Sequence, residues 1–215
     1  MHKGPAEGPR SNHGRGGHTH STRPEDFEDT YQLITPPWEI GRPQRALRNL
    51  AMIGGIKGRV LDVGCGTGEH VLMAAVLGLD AVGIDTSATA IRIAQGKAHE
   101  RGLKATFLVS DVLKTGELGE KFDTVLDSGL FHNLGNEDRP VFADRIRTLL
   151  SPGGRYFMLC FSDQRPRSGA ARTISQNEIY ITFDNGFRIE SISSALIEEN
   201  VSDGIPAWLA KIIRT

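Results

Sequence analysis

Three glycines lie close together after a short apolar segment in the first third of the chain. In the sequence V-L-D-V-G-C-G-T-G-E, from Val60 to Glu69, they occupy positions 64, 66 and 68. Glycine adopts positive φ without steric cost and lets a ligand approach where a Cβ would clash. The dinucleotide fingerprint G-x-G-x-x-G would place its third glycine one residue later, where this chain has Glu69. The loop is therefore predicted to bind a ligand other than NAD.

Aspartates stand at the ends of several apolar segments that are predicted to be strands: Asp62, Asp85, Asp111 and Asp127. Ligands of open α/β sheets bind outside the carboxyl ends of the strands, so we expect these carboxylates to surround one site. Asp85 follows Gly64 at close to the spacing of about 20 residues at which an acid binds ribose hydroxyls. The alternative is that Asp85, followed by Thr86 and Ser87, only caps the next helix.

Two residues are candidates for a general base. His132 lies in a predicted loop soon after Asp127, and an imidazole with an ordinary pKa of about 6.5 can take a proton from a phenol or hydroxylated heterocycle near neutral pH. Asp163 is the second candidate. A structural role for His132, bound to a backbone group, remains open at this point.

Composition limits the kind of protein this can be. A chain of 215 residues with 39% hydrophobic content builds one sizeable core. A formal net charge of -1 without long basic runs disfavours nucleic acid as a partner. No run approaches the roughly 20 apolar residues of a membrane span, and no signal peptide is recognised, so we expect a cytoplasmic protein. Cys65 and Cys160 are expected to be small buried side chains, as suits a reducing compartment.

The chain is predicted to consist of a tail and one domain. Residues 1–24 are rich in glycine, proline, histidine and charge, and are expected to be disordered. Three of their histidines, His13, His18 and His20, lack cysteine or carboxylate partners at ligand spacing, so we predict no metal site there. Residues 25–215 form the predicted domain, with an N-terminal lid and first helix in 25–58.

The domain alternates strands and helices, which is typical of a parallel sheet covered on both faces. Predicted strands are Val60–Val63, Ala81–Ile84, Thr106–Val109, Phe122–Leu126, Tyr156–Phe161, Phe187–Ser193 and Trp208–Ile213. Predicted helices are Arg42–Met52, Glu69–Leu77, Ser87–Arg101, Asp138–Leu150 and Ser175–Phe183. The sequence S-P-G-G, from Ser151 to Gly154, is predicted to be a turn that ends the fourth helix.

The glycine loop and the aspartates together resemble the motifs of class I S-adenosylmethionine (SAM) methyltransferases. The resemblance implies a single Rossmann-like α/β domain with a mostly parallel seven-stranded sheet and an antiparallel C-terminal strand. It also implies SAM as cofactor, held by residues of five motifs. Asp62 would lie near the amino group, Gly64, Cys65, Gly66, Thr67 and Gly68 along the methionine part, Asp85 and Thr86 at the ribose, Asp111 and Val112 at the adenine, and Asp127 near the transferable methyl.

Further segments resemble bacterial quinol and hydroxyquinolone methyltransferases: P-P-W-E-I-G-R-P-Q, D-S-G-L-F-H, L-C-F-S-D and A-W-L-A, which begin at Pro36, Asp127, Leu159 and Ala207. This resemblance implies methyl transfer to oxygen or nitrogen of a small aromatic hydroxylated metabolite or xenobiotic, by a monomer or homodimer without nucleic-acid or membrane partners. Tyr31 and Trp38 are expected before the first helix, where Trp38 either contacts the sulfonium by a cation–π interaction or anchors the segment.

Two other functions remain open for the same sequence. One is a thiol, thiopurine or metalloid methyltransferase with the same fold. The other is a SAM-binding sensor without catalytic activity. The residues quoted above do not separate these three functions, because they concern the cofactor and not the acceptor.

Overall fold

The computed structural model describes residues 22–114, 118–119, 121–164 and 172–215. The strands are β1 (Val60–Val63), β2 (Ala81–Asp85), β3 (Thr106–Val109), β4 (Phe122–Ser128), β5 (Leu150–Phe161), β6 (Phe187–Glu199) and β7 (Ser202–Arg214). The helices are α1 (Pro24–Leu33), α2 (Arg45–Met52), α3 (Glu69–Val76), α4 (Ala88–Glu100), α5 (Asp138–Leu149) and α6 (Gln176–Thr182), with a 3-10 helix at Phe131–Asn133.

All seven strands belong to one sheet, in the order β3-β2-β1-β4-β5-β7-β6. Strands β1 to β5 pair in parallel, whereas β7 runs antiparallel to both β5 and β6. The predicted α/β fold class, with its mostly parallel sheet and antiparallel ending, is therefore confirmed. The strand order reverses between β1 and β4, and their carboxyl ends diverge there to leave space for a ligand.

Apolar side chains of the central strands divide between the two faces of the sheet. All four residues of β1 are buried, which is typical of a strand covered on both sides. Val60 packs in the cluster formed with α2, α3 and α4, whereas Leu61 and Val63 pack in the cluster on the α5 side. This core makes the sheet a rigid base for the loops at its carboxyl edge.

Helix α1 was not predicted from the sequence. It begins with Pro24 in its first turn, where a missing N–H costs nothing, and the Asp26 carboxylate accepts from the backbone N–H and the guanidinium of Arg23 at its start. None of its residues is buried, and only Phe27, Tyr31 and Leu33 of its side chains are large and apolar, so its apolar pattern is too weak to predict a helix. Consequently Tyr31 lies within the first helix, not before it. The helix begins at Pro24, which is the last residue of the predicted tail.

The predicted turn from Ser151 to Gly154 is wrong in its position. Helix α5 ends at Leu149, and its C-cap residue Leu150 is already extended and begins β5. The turn residues form the irregular start of this strand, where the pairing with β4 shifts register. Glycine at position 153 provides the positive φ of 74° that this irregularity requires.

Most of residues 1–24 lie outside the described residues. Of the described helices, none has the length and apolarity that a membrane span requires.

Candidate active site

A cavity of about 610 Å³ opens at the carboxyl edge of the sheet. Its walls come from the glycine loop after β1, the ends of β2, β4 and β5, helix α1 and the β6–β7 hairpin. Almost all the residues predicted to bind a ligand lie in these walls: Trp38, Gly64, Cys65, Gly66, Thr67, Gly68, Asp85, Thr86, Asp111, Val112 and His132. Asp62, Asp127 and Asp163 do not.

The glycine loop fits tightly between its neighbours. Gly66 and Gly68 have φ angles of 52° and 88°, in the left-handed region that side chains avoid. A Cβ on Gly66 would lie 2.6 Å from the hydroxyl oxygen of Tyr31, and one on Gly68 would lie 2.6 Å from the ring of Phe107. These positions therefore require glycine both for backbone geometry and for space.

Asp85 binds the glycine loop to the start of α4. Its Oδ2 accepts from the backbone N–H of Gly66 at 2.8 Å, and its Oδ1 accepts from the backbone N–H of Ser87 at 2.9 Å. Burial raises the pKa of Asp85, while these backbone hydrogen bonds oppose the shift. A carboxylate oxygen accepts more than one hydrogen bond, so Asp85 can hold the loop and still accept from a ligand in the cavity.

Asp62 lies behind the glycine loop and is 1% exposed. Among the described residues, its Oδ2 has no hydrogen-bond partner. A buried carboxylate oxygen without a donor is costly, and the protonated amino group of the expected cofactor is a donor of the complementary charge. The carboxylate of Asp62, two residues before Gly64, therefore has the charge that suits the amino group at the methionine end of SAM.

The turn after β3 carries the residues predicted to bind adenine. Asp111 accepts from the backbone N–H of Leu113 at 3.0 Å and pairs with Lys114 at 3.0 Å. Val112 is 5% exposed and provides an apolar surface in the cavity wall. Thr86, after β2, also lines the cavity.

Helix α1 covers the cavity and is attached by polar contacts. Glu28 accepts from the Ser87 hydroxyl at 2.5 Å and from the Thr89 hydroxyl at 2.7 Å, at the start of α4. These hydrogen bonds lower the pKa of Glu28 to about 2, so the carboxylate stays charged at neutral pH. The next turn of α1 places Tyr31 over Gly66, where its hydroxyl accepts from the indole N–H of Trp38 at 2.9 Å.

A second polar contact attaches the segment after α1 to the glycine loop. Thr67 donates its hydroxyl to Glu39, and the Lys97 ammonium on α4 lies 2.6 Å from the Thr67 hydroxyl. Lys97 also pairs with Glu39 at 3.2 Å and with Glu69 at 3.0 Å. This network holds the segment that carries Trp38 against the cavity.

His132 lies in the cavity wall with its ring stacked on Phe161, the centroids 4.0 Å apart and the planes 18° apart. The backbone N–H of Phe161 donates to Nδ1 of His132 at 3.3 Å. In a neutral imidazole only one nitrogen accepts, so the proton is on Nε2, which is then a donor. This arrangement argues against the predicted role of His132 as a general base.

Two predicted site residues are placed elsewhere. Asp127 is fully buried and binds the Tyr156 hydroxyl at 2.8 Å and the Leu130 N–H at 2.9 Å, so it organises the loop after β4 instead of facing the cofactor. Burial raises its pKa to about 7, although these hydrogen bonds oppose the shift. Asp163 is exposed and is not in the cavity wall, which corrects its predicted role as a base.

The residues that sequence reasoning missed include Glu39 and His70, which line the cavity, and Glu28, which attaches α1 to the start of α4. Glu28 and Glu39 belong to the region before α2, where no apolar period marks structure. A weak signal existed for His70, because the sequence E-H-V-L-M-A-A-V of α3 begins with two polar residues and is otherwise apolar. Such polar residues at the start of a buried helix face the preceding loop and its ligand.

Comparison with known proteins agrees with this geometry. Residues 60–154 match the family model described as a methyltransferase domain. The chain is 35% identical over 184 residues to a 2-heptyl-1-hydroxyquinolin-4(1H)-one methyltransferase of Mycobacteroides abscessus, covering 81% of each chain. It is 31% identical over 154 residues to the probable thiol methyltransferase 2 of Arabidopsis thaliana, covering 71% of this chain and 68% of the relative.

Solved structures with the same architecture include two that are informative. One is a structure from work on the conversion of a disulfide bond into a thioacetal group during echinomycin biosynthesis. It has a TM-score of 0.82 and 34% identity, over 89% of this chain and 93% of the other. A magnesium protoporphyrin IX methyltransferase from Synechocystis, solved with bound SAM, shares the fold at a TM-score of 0.62 and 23% identity, over 79% and 76% of the two chains. The chain thus belongs to the class I SAM-dependent methyltransferases and is an enzyme of the small-molecule group within them.

Proposed function

We propose that this enzyme methylates an oxygen or nitrogen of a small aromatic hydroxylated compound. The observation that supports it most is the apolar wall built by the ends of β5, β6 and β7. Phe161 and Ile197 are 8% and 4% exposed, and Ile205 packs with them at the cavity. Beside this wall the flat imidazole of His132 stacks on Phe161, so a planar acceptor finds apolar and aromatic surfaces on adjoining sides.

The roles proposed for the cofactor site follow its geometry. Asp62 accepts from the amino group of SAM, and Asp85 with Thr86 binds the ribose. Asp111 binds the amino group of adenine while Val112 covers its ring. The loop formed by Gly64, Cys65, Gly66, Thr67 and Gly68 lies along the methionine part, and Trp38 covers the sulfonium. SAM supplies an activated methyl group, and this chain orients the acceptor for in-line attack and excludes water.

A thiol acceptor is the second candidate, and one observation favours it. Because Nδ1 of His132 is already an acceptor for the Phe161 N–H, the site favours nucleophiles that lose their proton without help from this imidazole. Thiols, with an ordinary pKa of about 8.5, ionise more readily than phenols do. The similarity to a probable thiol methyltransferase and to the structure from echinomycin biosynthesis supports the same candidate.

A methyl-transfer screen separates these proposals. The purified chain is incubated with SAM carrying a radiolabelled methyl group and with panels of phenols, quinols, N-hydroxyquinolones, amines and thiols. Label in the hydroxylated aromatics supports the proposal, and label in thiols alone replaces it with the second candidate. Label in no panel, with SAM still bound, would favour the sensor.

A matched pair of variants tests where the acceptor binds. Ile205→Ser should raise the KM for the acceptor about tenfold because it removes part of the apolar wall, while S-adenosylhomocysteine binds as before. The control is Val201→Ser, in the same hairpin but 72% exposed and outside the cavity wall. It should leave the KM for the acceptor and the affinity for S-adenosylhomocysteine unchanged. Equal effects of the two substitutions would mean that the wall does not contact the acceptor.

A further inference from the structure

His70 is the second residue of α3, directly after the glycine loop, and its side chain is 11% exposed at the cavity. Its Nε2 accepts from the backbone N–H of Gln44 at 3.1 Å. Since Nε2 is an acceptor, the neutral imidazole carries its hydrogen on Nδ1. The backbone therefore sets the tautomer of His70, not the solvent.

Gln44 is itself held firmly. Its side-chain amide donates to the backbone carbonyl of Glu198 at 2.9 Å and accepts from the backbone N–H of Glu198 at 2.8 Å. These two bonds connect the N-cap of α2 to the end of β6. The imidazole of His70 is consequently oriented by two elements that are distant in sequence.

The Nδ1–H of His70 faces Asp62. Nδ1 lies 3.6 Å from Oδ2 of Asp62, which is slightly longer than a hydrogen bond. That oxygen is the buried one that has no partner among the described residues. A donor of fixed orientation thus lies beside a carboxylate oxygen that needs one.

We propose that His70 is a positioning residue for the methionine end of the cofactor. Its Nδ1–H restrains one oxygen of Asp62, and this orients the carboxylate to accept from the amino group of SAM. The proposal rests on the role proposed above for Asp62. It assigns the effect of His70 to one nitrogen, which makes it possible to test the two sides of the ring separately.

Two substitutions of His70 place a side-chain amide at the position of one ring nitrogen or the other. The amide of His70→Asn reaches the position of Nδ1, so it can still donate to Asp62 but not accept from Gln44. The amide of His70→Gln reaches the position of Nε2, so it keeps the contact with Gln44 and loses the donor to Asp62. His99→Asn, on the exposed surface of α4, is the control.

Calorimetry compares two ligands for each variant. S-adenosylhomocysteine contains the amino-acid end, whereas 5′-methylthioadenosine has the same nucleoside and lacks that end. We expect His70→Gln to weaken S-adenosylhomocysteine binding roughly 10- to 100-fold, the value of one hydrogen bond to a charged group, and to leave 5′-methylthioadenosine unaffected. His70→Asn should retain S-adenosylhomocysteine binding to within about twofold, and His99→Asn should bind both ligands normally.

A double-mutant cycle completes the test. If His70 acts through Asp62, adding His70→Gln to Asp62→Ala should cause little further loss of S-adenosylhomocysteine binding. Equal weakening of both ligands by His70→Gln, or additive losses in the cycle, would overturn the proposal and leave His70 a structural residue. If Asp62→Ala alone did not change the preference for S-adenosylhomocysteine, the role of Asp62 would be the part that failed.

Discussion

The imidazole of His132 has the geometry of a hydrogen-bond donor. The Phe161 N–H occupies its Nδ1, and the opposite tautomer would place two N–H groups against each other. A donor at the acceptor subsite can stabilise a phenolate, an enolate or a thiolate. We therefore expect the enzyme to select acceptors that enter already ionised.

This leads to a prediction about acceptor acidity. His132→Ala should lower turnover by about tenfold, the value of one hydrogen bond to a charged oxygen, and the loss should be the same for acceptors of different pKa. A general base would contribute about 10²- to 10⁴-fold, and its loss would shrink as the acceptor became more acidic. Turnover of a series of substituted phenols or N-hydroxyquinolones measures this slope, and a steep slope would restore the base.

Asp127 makes a prediction about stability and pH. Its pKa in the folded chain is about 7, against an ordinary value of about 3.9. Between these values the unfolded chain loses its proton first, so stability from this group is complete below pH 4 and is lost as pH rises toward 7. The side chain of Asp127→Asn cannot ionise. As pH rises across this interval, the free energy of unfolding of this variant should therefore increase by on the order of 2–4 kcal/mol relative to that of the original chain.

Chemical denaturation between pH 4 and pH 8 checks the prediction, with Asp144→Asn as control because that carboxylate is exposed on α5. If the difference in free energy of unfolding between Asp127→Asn and the original chain stayed constant with pH, Asp127 would be ionised in the folded protein.

Asp127 also shows which feature of the candidate site could not be predicted from the sequence. The spacing of the glycines and of Asp85 follows local backbone geometry, and their place in the cavity wall could be predicted. The direction of Asp127 depends on Tyr156, which is brought beside it by the pairing of β4 with β5. The spacing of residues within β4 contains no information on that partner.

At the scale of elements, α1 is held to the domain by charge and hydroxyl groups and not by an apolar face. Glu28 accepts from two side chains at the start of α4, and Ser87 at the same time caps α4 by accepting from the Ala90 N–H. The helix therefore places Phe27 and Tyr31 over the cavity without contributing to the core. Its polar attachment also explains why hydrophobic periodicity did not predict it.

We expect Glu28→Ala to weaken S-adenosylhomocysteine binding about 5- to 20-fold, because it removes charged hydrogen bonds that hold the cover in place. Hydrogen exchange of α1 should increase while that of the sheet stays the same. Glu25→Ala is the matched control, since this carboxylate on the same helix is 61% exposed and pairs with Arg23. If both variants bound the ligand normally, α1 would not cover the cofactor.

At the scale of the whole molecule, the alternation of apolar strands and helices predicted the parallel sheet, because central strands such as β1 and β2 are buried on both faces and must be covered by helices. The lengths of β6 and β7 were underestimated, since their outer ends are partly exposed and lack a continuous apolar run. The position in the cavity wall of most residues predicted to bind the cofactor could be predicted for the same reason as the fold, because these residues follow strand ends. The proposed acceptor subsite could not be predicted, because Phe161, Ile197 and Ile205 are brought together through the antiparallel ending of the sheet.

Two truncations separate the domain from its cover. Removing residues 1–21, whose sequence offers almost no apolar side chain, should leave the melting temperature and cofactor binding unchanged.

Removing residues 1–33 also deletes α1, which has no buried residue, so the sheet should melt within a few degrees of the full chain. Binding of S-adenosylhomocysteine should nevertheless fall at least tenfold, because Phe27 and Tyr31 are lost from the cavity wall. Thermal melts and calorimetry on the three chains measure this. Unfolding of the shorter chain would show that α1 is part of the domain's stability, and full ligand affinity in that chain would show that the cavity needs no cover.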